Sequence, residues 1–389
     1  MQITSKLPEV GTTIFTTMSK MALDYKAINL GQGFPDFNTD EKLQAMVSQA
    51  MADGLNQYPA MAGVPVLREV IHNKVKALYE RSYDVDTEIT VTSGATQAIM
   101  AAVIASVGSG DEVLVIEPCY DCYLPAIRLA GAKPVTVPML SPTSANPFFS
   151  IDWDRVRANV TPRTRLLILN SPHNPTGAVL RQTDLDSLES IVQDTNIMIL
   201  SDEVYEHIIF DGAKHLSLAS RPALAERSFV ISSFGKTTHT TGWKIGYCCA
   251  PKNMTLELRK VHQFMVFTVP SVLQYGLAAY TADTSTYLTL PDFYQRKRDH
   301  LSAGLANTRF NVLPSPGTFF MLADYSNISD STESDFAIWL TKHHGVTVIP
   351  VSAFYENPTA PTSNHHIVRF CFAKKDTTLD QAIERLTKI

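Results

Sequence analysis

The sequence predicts an α/β protein: a mainly parallel central sheet in a large domain, with a smaller α+β domain beside it. Three observations carry this reading. The chain has 389 residues, beyond the size at which one hydrophobic core usually stops growing, so two domains are expected. Between residues 88 and 233, β-rich runs alternate with helical stretches. After residue 272 that rhythm gives way to long helical stretches followed by short β-like pieces.

The alternation begins with EITVTS at 88–93, then ATQAIMAAVIASV, DEVLVIEP and a helical stretch at 123–130. It continues with RLLILN at 165–170, a helix at 184–193, NIMILSD at 196–202 and SFVISS at 228–233. Such a βαβ rhythm, with continuous apolar strands, predicts a sheet covered by helices on both faces. Ligands in these sheets gather at the carboxyl ends of the strands, so the endings Ser93, Asn170, Asp202 and Ser233 are candidate site positions. Helices at 272–282 and 292–306, then NVLP, TFFMLAD, VTVIP and IVRFCFA, predict the smaller domain. The expected division is an N-terminal arm with part of the small domain at 1–40, the large domain at 41–280 and the small domain at 281–389. No internal repeat or low-complexity linker interrupts it, and 141–147, with two prolines, reads as a surface loop.

Composition narrows the function classes. The chain is 45% hydrophobic and 18% charged, with a mean hydropathy of -0.01, which suits an ordinary globular core. A net charge of -5 without a basic run argues against nucleic acid and anionic membrane as partners. The N-terminal MQITSKLPEVG lacks the apolar core and cleavage site of a leader, and the longest apolar stretch, around 98–107, is too short to span a membrane. A cytoplasmic location is expected. Five irregularly spaced cysteines predict reduced thiols rather than a disulfide framework. Cys119 and Cys122 form a C-x-x-C, but no second such pair completes a metal site, so no metal is expected.

Three motifs carry chemistry. SSFGKTTHTTGWKIG, at 232–246, places Lys236 after a predicted strand among hydroxyl groups, with Ser233 three residues before it and Lys244 eight after. A phosphate-binding P-loop would need glycine where Val230 stands. The cluster instead supplies one amine for covalent chemistry and further donors for a phosphate. NSPHNPTG, at 170–177, closes a strand with a proline-rich turn, and SDEVYEHIIFD, at 201–211, ends another with Asp202 three residues before Tyr205. Singly, these read as a turn and a helix cap. Together they supply what an electron-sink cofactor needs: a carboxylate for a ring nitrogen, donors for a ring oxygen, and a lysine that anchors an aldehyde and moves protons. His173, His239 and His262 lie near these motifs and are read as structural.

NPxG, DEVY and S-x-G-K with its second lysine, in this order, resemble the class I and II aminotransferases of the aspartate aminotransferase fold (pyridoxal phosphate fold type I). GQGFPDF (31–37), NQY (56–58), EPCYDCY (117–123), TGWK (241–244), VHQ (261–263), PVSAFY (350–355) and IVRFCFAKK (367–375) are similar to the branch containing methionine and kynurenine (glutamine) transaminases. The likeness covers essentially the whole chain. It implies a pyridoxal 5'-phosphate enzyme that moves an amino group from methionine, or an aromatic or glutamine-like amino acid, to a 2-oxo acid by a ping-pong mechanism.

The resemblance also implies roles, residue by residue. Lys236 matches the Schiff-base lysine, Asp202 the partner of the ring nitrogen, and Asn174 and Tyr205 the contacts of the ring oxygen. Tyr120 matches the stacking aromatic. Ser93, Gly94, Ala95 and Thr96 open a predicted helix, where free N–H groups favour an anion. They match the phosphate cup, completed by Ser233, Lys244 and Tyr58 from a second subunit, which implies a homodimer. Arg369 matches the grip on the substrate carboxylate, a task suited to a planar guanidinium, with Gly33 and Asn174 as further contacts. Phe15, Tyr120 and Phe267 match the aromatic wall, Phe267 crossing from the partner. Ala95 and Thr268 replace a tyrosine and a histidine of the kynurenine enzymes, which implies a roomier, less polar pocket. A cysteine-conjugate β-lyase shares the same cofactor machinery, and a non-catalytic regulatory domain is the alternative of another class.

Overall fold

The β-rich runs of the sequence form strands because each carries apolar side chains to both faces of one sheet. The computed structural model describes residues 3–389. The strands are β1 (Ile28–Asn29), β2 (Ile89–Thr92), β3 (Glu112–Glu117), β4 (Lys133–Pro138), β5 (Thr164–Asn170), β6 (Met198–Asp202), β7 (Ser228–Ser233), β8 (Gly246–Cys249), β9 (Asn311–Val312), β10 (Phe320–Asp324), β11 (Val346–Thr347), β12 (Ile349–Pro350) and β13 (Ile367–Cys371).

Seven of them form the large sheet in the order β2-β8-β7-β6-β5-β3-β4. All run parallel except β8, which is antiparallel to both of its neighbours. Side chains alternate between two cores. Leu114, Ile116, Leu167, Leu169 and Ile199 face one, and Val113, Val115, Leu166, Ile168 and Leu200 face the other. Each such fully buried side chain stabilises the fold by about 1.5–3 kcal/mol relative to exposure, and the period of two fixes which face each residue takes.

The antiparallel β8 explains the position of the Lys236 segment. Antiparallel neighbours are joined by a short connection, whereas parallel ones need a long crossover. Residues 234–245 therefore turn back at one edge of the sheet, and Ser233 pairs with Gly246 across that turn. Thr92 also pairs with Gly246, and Asn170 with Asp202. The ends of β2, β7, β6 and β5 thus lie side by side along the carboxyl edge. Gly246 has to lack a side chain, since a Cβ there would lie 2.8 Å from the backbone of Gly94 and Ala95.

The second sheet, β12-β13-β10-β9, is antiparallel throughout. Its core joins Phe319, Phe320, Phe370 and Phe372 with Tyr294, and also with Met18 and Leu30 from the N-terminal part of the chain. β1 pairs in parallel with β11. The helices expected at 272–282 and 292–306 are Ser271–Thr281 and Leu290–Leu305. The 141–147 loop lies on the surface, pinned at its base by a Leu140–Ser150 bridge. Among the described residues, no helix is long and apolar enough to cross a membrane.

Candidate active site

A cleft of about 300 Å³ opens over the carboxyl edge of the large sheet and reaches the second sheet. Its wall includes Phe15, Gly33, Gly94, Ala95, Thr96, Tyr120, Asn174, Asp202, Tyr205, Ser233, Lys236, Lys244 and Arg369. These come from widely separated segments, and every one was a candidate from the sequence. Ser93, Tyr58 and Phe267 are outside that lining. Ser93 occupies the N-cap position of the helix Gly94–Ser106 without a side-chain cap bond, its backbone amide donating to Gln97 Oε1 at 3.1 Å. Tyr58 and Phe267 pack edge to face, ring centroids 5.5 Å apart, on a surface where Phe264 is also exposed.

The floor of the cleft is electrostatically prepared. Asp202 is buried, and desolvation raises its carboxyl to about 6 against the pull of a hydrogen bond from Tyr123. That bond, Tyr123 Oη to Asp202 Oδ2, is 2.6 Å long. Asn170 donates through Nδ2 to the Asp202 carbonyl at 2.8 Å and accepts from the Asn174 amide at 2.7 Å. One side chain thereby ties the NSPHNPTG turn to the DEVY segment. Lys236 donates to the Gly33 carbonyl at 2.8 Å and lies 5.6 Å from the Tyr205 ring centroid. Desolvation lowers its amine to about 8, and the charges of Arg369 and Lys244 push the same way. A lysine so lowered is closer to the neutral form that acts as nucleophile or base.

Next to it is a cradle for an anion. Ser233 Oγ accepts from the Gly235 amide at 3.1 Å, starting the short helix that carries Lys236. The 13-residue helix Gly94–Ser106 points its N-terminus into the cleft, where the first N–H groups have no partner within the helix. Gly94 has φ +71°, and a Cβ on it would lie 3.2 Å from Lys244 Cε and 3.3 Å from Lys244 Nζ. The helix start and the Lys244 amine therefore converge, and together they suit a phosphate.

Across the cleft, Arg369 is 1% exposed. Its Nη1 donates to Asn174 Oδ1 at 2.6 Å and its Nη2 to the Gly31 carbonyl at 2.9 Å, both neutral acceptors. Its Nε is buried, with no hydrogen-bond partner among the described residues. The guanidinium lies 3.7 Å from the Phe320 ring centroid, with Phe354 at 4.9 Å and Phe15 at 5.6 Å. Burial lowers it to about 10, so it stays charged at neutral pH. A buried cation bonded only to neutral groups, with an unused donor, is organised for a carboxylate supplied by a ligand. Because Asn174 Oδ1 is taken by Arg369, its Nδ2 remains as a donor.

Sequence reasoning missed several members of this set. Tyr123 was not singled out, although it occurs in the same EPCYDCY run as Tyr120. Asn170 was a candidate position as a strand ending but was given no role, and Gln32, Asp121 and Phe320 were overlooked although all three line the cleft. His173, His239 and His262 do not line it. His173 is instead bound to Thr176 Oγ1 at 2.7 Å and held neutral by burial, its pKa lowered to about 4. Cys119 and Cys122 are free thiols whose pKa values burial pushes up, the opposite of an activated cysteine.

Residues 25–386 match the family of class I and II aminotransferases. A methionine aminotransferase of Escherichia coli is 47% identical over 386 residues, covering 99% of this chain and 98% of the relative. Kynurenine–oxoglutarate transaminase 1 of Mus musculus is 35% identical, covering 96% and 93%. The solved structure of N-succinyldiaminopimelate aminotransferase from Mycobacterium tuberculosis superposes with a TM-score of 0.94 at 42% identity, covering 100% of both chains. The architecture expected from the sequence, that of aspartate aminotransferase, is the architecture of the chain. With the site's geometry, these matches place the chain in the class I and II aminotransferase family, as a pyridoxal-phosphate-dependent aminotransferase.

Proposed function

We propose that this aminotransferase takes methionine, or an amino acid with a similarly neutral side chain, as its amino donor. The observation that carries the substrate reading is the buried Arg369, held by neutral acceptors in the same cleft as Lys236. It offers a free amino acid's carboxylate a bidentate partner, and Gly33 and Asn174 complete the grip. Beyond the carboxylate, the substrate side chain meets Phe15 and Tyr120, and in a homodimer also Phe267 of the partner subunit. Thioether sulfur packs favourably on aromatic edges. The small Ala95 leaves room, and the similarity to a methionine aminotransferase supports the same choice.

Each site residue then has a task. Bound pyridoxal phosphate supplies an aldehyde that condenses with amines and a protonated ring that withdraws electrons. Lys236 would anchor the cofactor, and its amine, lowered by burial, would move a proton at the substrate Cα. Asp202 keeps the ring nitrogen protonated, while Asn174 Nδ2 and the Tyr205 hydroxyl hold the ring oxygen. Tyr120 would pack against the cofactor ring. Ser93 to Thr96, Ser233 and Lys244 hold the phosphate, together with Tyr58 of the partner subunit. Arg369 would hold the amino acid in one orientation in the cleft that Lys236 also lines.

Tyr58 and Phe267, packed on each other, and Phe264 nearby in sequence leave aromatic surface exposed, of the kind that marks an interface. It supports the dimer reading. The unpaired cysteines fit a reducing cytoplasm. The deciding experiment is the visible spectrum of the purified holoenzyme. Addition of methionine should shift the cofactor band to that of the amine form and release the matching oxo acid. A spectrum that methionine and other neutral amino acids leave unchanged, while a charged amino acid shifts it, would refute the donor assignment.

A further inference from the structure

We infer that Asp121 is a specificity-determining residue: its carboxylate faces the substrate and disfavours amino acids and oxo acids that carry a second carboxylate. The inference rests on the assignment of Arg369 as the grip for the substrate's α-carboxylate, and it adds a rule for the side chain.

Asp121 follows Tyr120 on the turn that precedes the helix Tyr123–Leu129, and it lines the cleft with Phe15, Gln32, Phe320 and Arg369. The fold does not account for it. An aspartate at such a turn commonly caps the helix, but the cap position is Cys122 and no side-chain cap bond forms there. Among the described residues, no other residue donates a hydrogen bond to the Asp121 carboxylate and no ion pair includes it. It is exposed to the cleft rather than packed. Its carboxyl is pushed up by burial and pulled back by the charge of Arg369, which lines the same cleft.

The other charges in the cleft complete the argument. Three cations line it among the described residues: Lys236, Lys244 and Arg369. The first anchors the cofactor, the second holds its phosphate and the third takes the α-carboxylate. Among the described residues of one protomer, a distal carboxylate on the substrate finds no fourth cation. The amide of Gln32 is no substitute, since its Nε2 is already bound to the Phe15 carbonyl at 3.0 Å and to Ser19 Oγ. The distal anion instead meets Asp121, a like charge on a partly desolvated wall. A neutral thioether, amide or aromatic group there carries no such penalty.

The test is the ratio of kcat/KM for glutamate to that for methionine, in the wild-type holoenzyme and in Asp121→Asn. Taking a ratio cancels any general loss in the variant. The expected result is a rise of about tenfold in the glutamate-to-methionine ratio, with Asp121→Glu keeping the wild-type ratio. A second measurement does not need turnover: glutarate and 4-(methylthio)butanoate are titrated against the holoenzyme through its visible absorbance. Asp121→Asn should tighten glutarate relative to the thioether acid by a similar factor. A ratio unchanged within twofold in both measurements would overturn the inference. Arg369→Ala separates the two possible failures. If it leaves both acids binding as in wild type, the assignment of Arg369 falls. If it weakens both while Asp121→Asn changes neither ratio, only the role of Asp121 falls.

Discussion

Replacing Tyr123 by phenylalanine should move the acid limit of cofactor binding by one to two pH units. The Asp202 carboxyl sits at about 6 because burial raises it, with the Tyr123 hydroxyl as the largest opposing influence. A hydrogen bond to a charged acceptor contributes about 1.5–3 kcal/mol, and one pKa unit corresponds to about 1.4 kcal/mol. Deleting the 2.6 Å bond should therefore carry Asp202 from about 6 to roughly 7–8. At pH 7 the ionised fraction would fall from about nine-tenths to between one-half and one-tenth. The neutral acid cannot balance a protonated ring nitrogen, so affinity for pyridoxal phosphate should fall in that range. The sign for stability follows from linkage. A carboxyl whose pKa is raised on folding binds its proton more tightly in the folded state, so this site destabilises the apoprotein as pH rises through about 4 to about 6. In Tyr123→Phe that window extends upward. The assay is the dissociation constant of the cofactor from pH 5 to 9, compared between wild type and Tyr123→Phe so that the cofactor's own titrations cancel. Coincident acid limbs would refute the role given to Tyr123.

Three further perturbations test separate parts of the account. Lys74→Met strands Glu206, whose carboxyl is 2.6 Å from Lys74 and also accepts from Tyr79, Ser232 and Tyr247. Breaking a buried pair in this way costs about 3–5 kcal/mol, readable as a lower urea midpoint, and a loss below about 1 kcal/mol would contradict the reading. Arg369→Lys replaces a planar fork with a point charge and should raise KM for amino acid and oxo acid by about 10- to 100-fold; an unchanged KM would contradict the carboxylate grip. Gly94→Ala forces a side chain into φ +71° beside Lys244. It should lower the affinity for pyridoxal phosphate relative to pyridoxal by about tenfold, and an equal loss for both would place the defect outside the phosphate cradle.

The sequence was legible wherever one residue type had one physical use. The apolar runs ending in Asn170, Asp202 and Ser233 became central strands because nothing but a doubly covered sheet can bury both of their faces. β4 was not anticipated: KPVTVP is an edge strand, only half buried, with a proline at each end of its core. β8 was missed as well, since GYCC is four residues long and its place between β2 and β7 is decided by tertiary pairing. The same limit applies at the site. EPCYDCY offers Tyr120, Asp121 and Tyr123 within four positions, and only the turn they occupy sends Tyr123 to Asp202 and leaves Tyr120 and Asp121 on the cleft wall. Arg369 was legible because a charge between apolar neighbours needs a reason. Its dependence on Phe320 and Phe354 was not, because an aromatic residue in a β-run, like Phe320, or in a short helical turn, like Phe354, looks like ordinary core.

Lys236 as the covalent anchor is the role on which all the others depend. Borohydride reduction of the purified holoenzyme, followed by proteolysis and mass mapping, tests it directly by fixing the cofactor to whichever amine holds it. The predicted result is a single pyridoxyl-modified peptide carrying the label on Lys236. A label on Lys244 or any other lysine, or no stable label in a protein that still transaminates, would contradict it.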